Sequence, residues 1–457
     1  MIVVSVTSTS PAGTVNATWK ATIRWPTSTW CPIRRDRTRW RMNPGARRLT
    51  FRSTTRWAWP TGPGGKIGGT SASLRALRTP PASPGGGQVL HIYPVRLLHC
   101  ADIHLDAAFQ GLGETMGKRR RAALRQTFQN VVKLALELKV DALTIGGDLY
   151  EDLRSRQDAA RFLAEQLGQL PFPVLIAPGN HDYWHAGSLY ATNDWPSNVR
   201  IFSANEFSAV EVGDHRIFGI GHLKPKGTGN LLGSFKVPDG APAIALFHGS
   251  ERGQLSAEGV GKEDHAPFSE AEVAKAGFRF GLLGHFHKPR TTDHLVYPGN
   301  PEPLTFGEAG DRGAAEVDFG PDTPTVKIHK VNTFTLSDLE VDVTDCQHSD
   351  ALLGRVREAL PAGADHGARV RLVGELALGM QLGPSELVRR LREGDRCVDV
   401  VFAARPALDL EQLSKAPDIR GQFVRGLRER DDFESEVVQA ALRAGVEALQ
   451  GEEPSIL

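Results

Sequence analysis

Polar side chains that can bind a metal ion follow several short apolar stretches of this chain. The stretches are "VRLLHCADIH", "DALTIGGD", "PVLIAPGNHD", "AIALFHG" and "FGLLGHFH". Each apolar run has the length of a buried strand, and the polar residues come where that strand should end. These residues are Asp102, His104, Asp148, Asn180, His181, His248, His285 and His287.

The residue types in this set are those of a divalent-metal site. Carboxylate, amide and imidazole ligands without cysteine suit Mn²⁺, Fe²⁺, Zn²⁺ or Mg²⁺, and they do not suit Cu(I) or an iron–sulfur cluster. The set is too large for one ion with open positions, but it fits two ions that share a carboxylate. Two ions about 3.5–4 Å apart can hold a hydroxide and clamp a phosphate for in-line attack. The alternative for any single histidine is a structural role at a strand end.

The elements that would carry these side chains alternate between strand and helix from Val95 onward. Apolar residues at helical spacing predict helices over residues 117–139 and 156–169, between the first three strands. This β-α-β-α-β order predicts a largely parallel sheet, whose strands end at one edge where polar side chains can meet. Later strands follow with few helices between them. The sequence therefore predicts an α/β fold, a two-sheet β-sandwich flanked by helices.

Spacing within two of the motifs predicts where the side chains point. Because side chains alternate along a strand, we expect Asp102 and His104 to point the same way, and likewise His285 and His287. Glycines beside the motifs would allow tight turns and the close approach of a substrate. They are Gly146, Gly147, Gly179 and Gly284.

The motifs together resemble those of the calcineurin-like metallophosphoesterases. The segments that carry the resemblance are "ADIHLD", "GGDLY", "PGNHD", "FHG" and "GHFH". The following "YPGNPEP" resembles the block after the last histidine pair in bacterial SbcD-type DNA repair exonucleases, especially their YhaO-like branch. The resemblance is strong over about residues 95–330, weaker over 335–405 and absent from 1–94.

The resemblance implies a role for each residue of the set. The first metal ion would be held by Asp102, His104, Asp148 and His287. The second would be held by Asp148, Asn180, His248 and His285, so that Asp148 bridges the two. His181 would not bind metal but would stabilise charge or donate a proton at the leaving oxygen. Asp182 would orient His181, and loop capping is an equally good alternative for it.

The resemblance also implies an activity and partners. Enzymes of this kind cut DNA phosphodiesters as exonucleases or endonucleases, with manganese as the usual metal. They pair with an SMC-like ATPase that grips their C-terminal helices, and a homodimer is a further implication. This chain has no acceptable Walker A motif, so an ATPase would be a separate protein. Two alternatives stay open: a phosphoesterase acting on small molecules, nucleotides or phosphoproteins, and a non-enzymatic scaffold.

Changes of pattern along the chain predict its domains. Residues 95–332 would form the metallophosphoesterase domain, and 335–405 a small α+β capping domain with helices near 349–359 and 384–393. Residues 407–457 are predicted to be helical, in segments 412–431 and 432–449. The apolar face of the last segment would either pack on its own domain or be offered to a partner such as the ATPase.

The N-terminal segment differs sharply in charge from the rest. Residues 1–95 contain 14 lysines and arginines and one acidic residue, Asp36, whereas the remainder has an excess of 12 acidic residues. Glycine- and proline-rich stretches predict that residues 1–94 are disordered. They would be either a basic arm that binds nucleic acid or an upstream stretch translated from a mis-assigned start. The abrupt change near Val95 favours the second interpretation.

The acidic remainder is unfavourable for gripping DNA, so local basic groups are candidates for contact. They are Arg119–Arg121, Lys288 with Arg290, and Arg154 with Arg156, although a solvated face is the better explanation of each. No apolar stretch is long enough to cross a membrane. Four scattered cysteines, without a CxxC pair, favour a reducing cytoplasm as the location.

Overall fold

The computed structural model describes residues 94–152, 157–254, 264–320, 322–378, 380, 383–394 and 396–450, together with the backbone of 2–7 and 18–23. The chain divides into two compact units, Met1–Gly87 and Gln88–Leu457. In the first unit, β1 (Ile2–Thr7) and β2 (Thr18–Ile23) form an antiparallel pair. These strands depart from the disorder predicted for residues 1–94, most of which lie outside the described residues.

Two six-stranded sheets form the larger part of the second unit. The first contains, in spatial order, β14 (Thr325–Lys330), β13 (Gly313–Phe319), β3 (Val95–Cys100), β4 (Ala142–Ile145), β5 (Val174–Ile176) and β6 (Val199–Ile201). The second contains β11 (Arg290–Thr291), β12 (Leu295–Tyr297), β10 (Phe280–Gly284), β9 (Ala243–His248), β8 (His215–Gly219) and β7 (Ser208–Val212). Strands β3 to β6 of the first sheet run parallel to one another, and so do β8, β9, β10 and β12 of the second.

The sheets pack face to face, because alternate side chains of their strands are apolar on the inner face. Leu97 of β3, Leu246 of β9 and Leu282 of β10 are fully buried members of that shared core. Helices cover the outer faces: α1 (Glu114–Leu138) and α2 (Gln157–Leu167) on the first sheet, with the short α3 (Leu189–Thr192), and α4 (Glu270–Ala276) on the second. This arrangement confirms the predicted α/β fold with two sheets flanked by helices.

A smaller set of elements follows the sandwich. It has a parallel sheet of β15 (Thr335–Asp342), β16 (His366–Val373) and β18 (Cys397–Phe402), against which α5 (Ser349–Ala359) and α6 (Pro384–Leu391) pack. The short strands β17 (Glu375–Leu376) and β19 (Arg405–Pro406) pair beside it. The domain boundaries at 332, 335, 405 and 407 stay predictions.

The C-terminal helices are α7 (Leu410–Lys415), α8 (Ile419–Arg428) and α9 (Glu436–Gln450). The helix predicted over 412–431 is broken, because Pro417 has no N–H to donate and disfavours helical backbone before it. Asp418 then starts α8 by accepting from the backbone N–H groups of Arg420 and Gly421. None of the helices that the structure describes combines the length and apolar character needed to cross a bilayer.

A buried histidine ties the two sheets together near their ligand-bearing ends. His99 of β3 lies 3.0 Å from Thr144 Oγ1 through Nδ1 and 3.0 Å from the Leu283 carbonyl of β10 through Nε2. Burial lowers the pKa of His99 to about 4. Because this folded-state pKa lies below the unfolded value of about 6.5, the folded state resists protonation. The contribution of neutral His99 to the free energy of unfolding is complete above pH 6.5 and is lost as the pH falls towards 4.

We therefore expect the unfolding free energies of the wild type and His99→Gln to converge as the pH falls. Between pH 7.5 and 5 their difference should shrink by about 2 kcal/mol. Urea unfolding in chelator at both pH values measures this difference. His294→Gln, at an exposed loop histidine, is the matched control and should track the wild type. If the difference in unfolding free energy between the wild type and His99→Gln does not change with pH, this role of His99 is contradicted.

Candidate active site

The end of β9 and the loops after β3, β4, β5 and β10 bring the predicted residues to one edge of the sandwich. Because β3 ends at Cys100 and β10 at Gly284, the paired motif residues lie in loops and not in strands. Four of the predicted site residues have a positive φ, which non-glycine residues rarely adopt. They are Asp102 (φ 56°), His104 (49°), Asp148 (51°) and His285 (111°). Such conformations cost about 1–3 kcal/mol each and cluster at functional sites.

The loop backbone corrects the expectation of strand-like alternation. Asp102 and His104 do converge, and together with His287 they place ligand atoms within 4.8 Å of one another. The ring of His285, however, lies 5.1 Å from that of His248, while the ring of His287 lies 5.4 Å from that of His104. The two histidines therefore face neighbouring points and not one point, because the left-handed turn at His285 interrupts the alternation.

The carboxylate of Asp148 lies between the two groups of histidines. Its Oδ2 is 3.6 Å from His104 Nε2 and 3.4 Å from His248 Nε2. The Oδ1 of Asn180 lies 3.0 Å from the same nitrogen of His248. Burial acts to raise the pKa of Asp148, but His248, His181 and His104 and the backbone N–H of His181 lower it overall. The carboxylate is thus held in the ionised form that a metal ligand needs.

Three histidines of the site use Nδ1 for a partner outside the cluster. The pairs are His104 with Glu151 (2.7 Å), His287 with Glu308 (2.8 Å) and His248 with the Gly146 carbonyl (2.9 Å). These partners accept hydrogen bonds, so each Nδ1 carries a proton, and in the neutral ring that binds metal each Nε2 then presents a lone pair. The same arrangement orients histidines that ligate metals.

The remaining atoms of the cluster fit divalent metal ions. The Nε2 of His104 is buried and has no hydrogen-bond partner, which is unfavourable unless something else occupies its lone pair. Its distance to Asp148 Oδ2 is too long for a hydrogen bond, but two ligands on one ion with bonds of about 2.1 Å would lie at a similar separation. The donor set of carboxylate, amide and imidazole suits Mn²⁺, Fe²⁺, Zn²⁺ or Mg²⁺.

Glu151 links the cluster to His181 and was not predicted from the sequence. One carboxylate oxygen lies 2.7 Å from His104 Nδ1 and the other lies 3.0 Å from His181 Nδ1. Burial acts to lower the pKa of His181, but Glu151 and then Asp148 outweigh it and raise the pKa to about 9. The position of Glu151, three residues after Asp148, was the only sequence signal. No feature of the sequence indicated Glu308, whose carboxylate pairs with the ring of His287.

The hydrogen bonds of Asp182 match the loop-capping alternative. Its carboxylate accepts from the backbone N–H groups of Asp148 (3.1 Å), Leu149 (2.7 Å) and Gly179 (2.6 Å) and from the Tyr190 hydroxyl (2.6 Å). It thereby joins the loops after β4 and β5. The carboxylate that reaches the ring of His181 belongs to Glu151 instead.

The glycines beside the motifs serve contacts between loops. A Cβ on Gly179 would lie 2.2 Å from Asp148 Oδ1, and one on Gly147 (φ 92°) would lie 2.7 Å from His248 Nδ1. A side chain at either position would therefore displace a predicted ligand. The expected close approach is that of one loop to another, rather than that of a substrate.

Two of the proposed basic groups are engaged within the protein. Arg120 is 2% exposed and pairs with the buried Glu302 (2.9 Å), and Arg290 pairs with Glu251 (2.7 Å). Arg154 and Arg156 lie outside the described residues.

His222 contacts the backbone next to a predicted ligand. Its Nε2 lies 2.9 Å from the backbone carbonyl oxygen of His248.

A cleft of about 380 Å³ opens in front of the cluster. The rings of His104, His181 and His287 line it, and the side chain of His181 is 45% exposed there. Leu336 of β15 and Cys397 of β18 also contribute to the lining. The cleft therefore lies where the smaller sheet meets the sandwich, and a phosphate that enters it would reach the metal-binding cluster.

The contacts of Glu151 lead to a prediction for metal binding. Replacing Glu151 by Gln leaves one carbonyl oxygen where two histidines need an acceptor, so His104 loses its fixed orientation or His181 does. We expect Mn²⁺ affinity to fall by about 10–100-fold, measured by titration calorimetry. Asp152→Asn is the matched control, since the neighbouring Asp152 pairs with His185 and not with a predicted ligand. Equal affinities of wild type and Glu151→Gln would show that the carboxylate does not position His104.

Comparison with known proteins agrees with this geometry. The family described as calcineurin-like phosphoesterase matches residues 95–289. The "Uncharacterized metallophosphoesterase YhaO" of Bacillus subtilis is 26% identical over 74% of this chain and 82% of its own length. The "DNA double-strand break repair protein Mre11" of Methanopyrus kandleri is 27% identical over 69% of this chain and 75% of its own length. Mre11 of Haloferax volcanii is 25% identical over 73% of this chain and 81% of its own length.

The family match spans the sandwich from β3 through the His285–His287 motif, which is the region that builds the cluster. Residues 95–289 thus match the calcineurin-like phosphoesterase family, and the chain is similar to YhaO and to the Mre11 proteins.

Proposed function

We propose that this protein hydrolyses phosphodiester bonds of DNA with the help of two divalent ions, most simply Mn²⁺. The observation that carries the proposal is the set of histidines whose Nδ1 atoms are held by outer partners. The Nε2 atoms of His104 and His248 lie near Asp148, and that of His287 lies near Asp102. Asp102, His104, Asp148 and His287 would hold one ion. Asp148, Asn180, His248 and His285 would hold the other. Bound ions would polarise the phosphoryl oxygens and acidify water, so that a nucleophile exists at neutral pH.

The side chains of the site have separate tasks in this proposal. His181 lines the cleft and would hold a proton for the leaving oxygen, with its ring fixed through Nδ1 by Glu151. Asp182 would hold the loops after β4 and β5 together through its hydrogen bonds to their backbone N–H groups. Glu308 and Glu151 would hold the rings of His287 and His104.

DNA as substrate is supported by the relatives and by the organisation of the chain. The Mre11 relatives are by name proteins of DNA double-strand break repair, and their match extends beyond the phosphoesterase domain. The smaller sheet with β15 and β18 contributes to the cleft, which makes it a proposed cap that a simple phosphatase does not need. A reducing cytoplasm and a homodimer stay predictions.

An SMC-like ATPase is the proposed partner of the C-terminal helices. Ile419 of α8 is 64% exposed and Val437 of α9 is 78% exposed, although both are large apolar side chains. Both side chains would be covered by the partner in this proposal. The ATPase would be a separate chain.

A phosphoesterase acting on nucleotides or other small phosphoesters is the second candidate. The excess of 12 acidic residues after residue 95 favours it, because that charge opposes the binding of a long polyanion. The test is hydrolysis by the full chain with Mn²⁺ of end-labelled single- and double-stranded DNA, a small phosphodiester and a phosphomonoester. Metal-dependent cutting of DNA supports the nuclease. Turnover of small esters while DNA stays intact, even with an ATPase partner added, supports the second candidate.

A further inference from the structure

The cleft in front of His181 contains more apolar surface than phosphate chemistry requires. Besides the histidines, its lining includes Phe109, Leu112 and Phe306, and each of these side chains is only partly buried. Partly exposed aromatic and aliphatic side chains in a concave site usually contact an apolar part of a ligand. A phosphodiester group offers no such part. Phe109, Leu112 and Phe306 each pack on one side against a buried cluster, and the surface that they leave in the cleft is available to an apolar part of a ligand.

The backbone and surroundings of Phe109 fix its ring beside the cluster. Its φ is 47°, a left-handed conformation that is unfavourable for an aromatic residue. The guanidinium of Arg120 lies 5.1 Å from the centre of this ring and 3.9 Å from that of Phe334. Arg120 is itself held by Glu302 at 2.9 Å. Contacts with Arg120 therefore fix the position of the Phe109 ring in the lining of the cleft.

We infer that this cleft binds the nucleobase of the nucleotide whose phosphate is cleaved. The base would lie against Phe306 and Phe109, while the exposed side chains of Gln110 and Thr305 would offer hydrogen-bonding groups at the rim. A cleft of about 380 Å³ has the size of a small-molecule site. A base that lies against these rings has left the stack of its own strand, so the substrate is a nucleotide unpaired at the scissile position. This inference rests on the proposed function and adds the substrate class to it.

The test compares substrates that differ only in the base. Two single-stranded oligonucleotides, with normal or with abasic terminal residues at both ends, are cut by the full chain with Mn²⁺. Thymidine 5′-(4-nitrophenyl) phosphate and the same ester of base-free 1,2-dideoxyribose form a second pair. The measured quantity is the ratio of kcat/KM for the base-bearing substrate to that for the base-free one. Since stacking of a base on an aromatic ring changes binding by roughly 5- to 150-fold, we expect a wild-type ratio of about 10 or more.

Variants of Phe306 locate the effect. Phe306→Ala should bring the ratio close to 1, and Phe306→Tyr, which keeps the ring, should restore most of it. Phe235→Ala is the matched control, because Phe235 is likewise partly buried but stacks on Phe278 in a different cluster. Its ratio should equal that of the wild type. A general loss of folding lowers both terms of the ratio and does not imitate the expected result.

Each outcome separates this inference from the proposed function. If the wild type cuts normal and abasic ends equally well, the nuclease stands and the base site is refuted. A wild-type ratio that Phe306→Ala leaves unchanged also refutes it. If the wild type cuts neither oligonucleotide but the thymidine ester is favoured in a Phe306-dependent way, the base site stands and its ligand is a free nucleotide instead of a DNA end.

Discussion

Replacing His181 by Gln should lower kcat for phosphodiester hydrolysis by about 10²–10⁴-fold, the usual range for a lost general acid or base. The reason is that His181 lines the cleft beside the metal-binding cluster but has its Nδ1 committed to Glu151, so it is placed to act on the leaving oxygen. Steady-state kinetics on a small phosphodiester measure the effect. Metal affinity should remain within a few-fold of wild type, because the proposed ligands are untouched.

His185→Gln is the matched control for that experiment. His185 lies four residues further along the same loop, pairs with Asp152 at 3.0 Å and stacks on Tyr183 at 4.9 Å. Its replacement should leave kcat near the wild-type value. A His181→Gln enzyme that keeps its full kcat, or one that loses metal binding together with activity, would remove His181 from the proton-transfer role.

Replacing Asp148 by Asn should abolish both metal binding and turnover. The substitution removes the charge shared between His104 and His248 and leaves a weaker, neutral oxygen in its place. Because bound ions are worth several kcal/mol in the transition state, we expect kcat/KM to fall by about 10³-fold or more. Thermal unfolding with and without Mn²⁺ gives a readout that does not depend on activity. At 100 times the dissociation constant a bound ion stabilises the wild type by about 2.7 kcal/mol, and Asp148→Asn should show almost none of this.

The control for the Asp148 experiment is Asp318→Asn, at an aspartate that pairs with Arg96 at 2.8 Å in β3. It should retain the full stabilisation by Mn²⁺. An equal stabilisation of Asp148→Asn would mean that the ions bind elsewhere, and the shared-carboxylate arrangement would then be rejected.

The fold and the clustering of the predicted ligands could be inferred from the sequence because both depend on local pattern. Buried strands appear as short apolar runs, and parallel strands bring their carboxyl ends to one edge of a sheet. That pattern alone was enough to place Asp102, His104, Asp148, His248 and His287 in one group. The direction of individual side chains was less accessible. The left-handed backbone at His285 depends on how the loops pack, and strand alternation did not predict it.

The supporting residues were harder to predict because their contacts span long stretches of the chain. Glu308 is 21 residues from His287, and Arg120 is 182 residues from Glu302. Nothing in the local pattern marks either pair, and Arg120 seemed from the sequence to be a surface cation. Asp182 shows the opposite case, since the sequence identified the residue but could not decide between orienting His181 and capping the loops.

The most direct test of the account is the position of bound Mn²⁺, measured by anomalous diffraction from crystals grown with that ion. The account predicts two peaks about 3.5–4 Å apart on either side of the Asp148 carboxylate. One should contact Asp102, His104 and His287, and the other should contact Asn180, His248 and His285. A single peak, or a pair of peaks that does not share Asp148, would contradict the two-metal site and the hydrolytic function proposed from it.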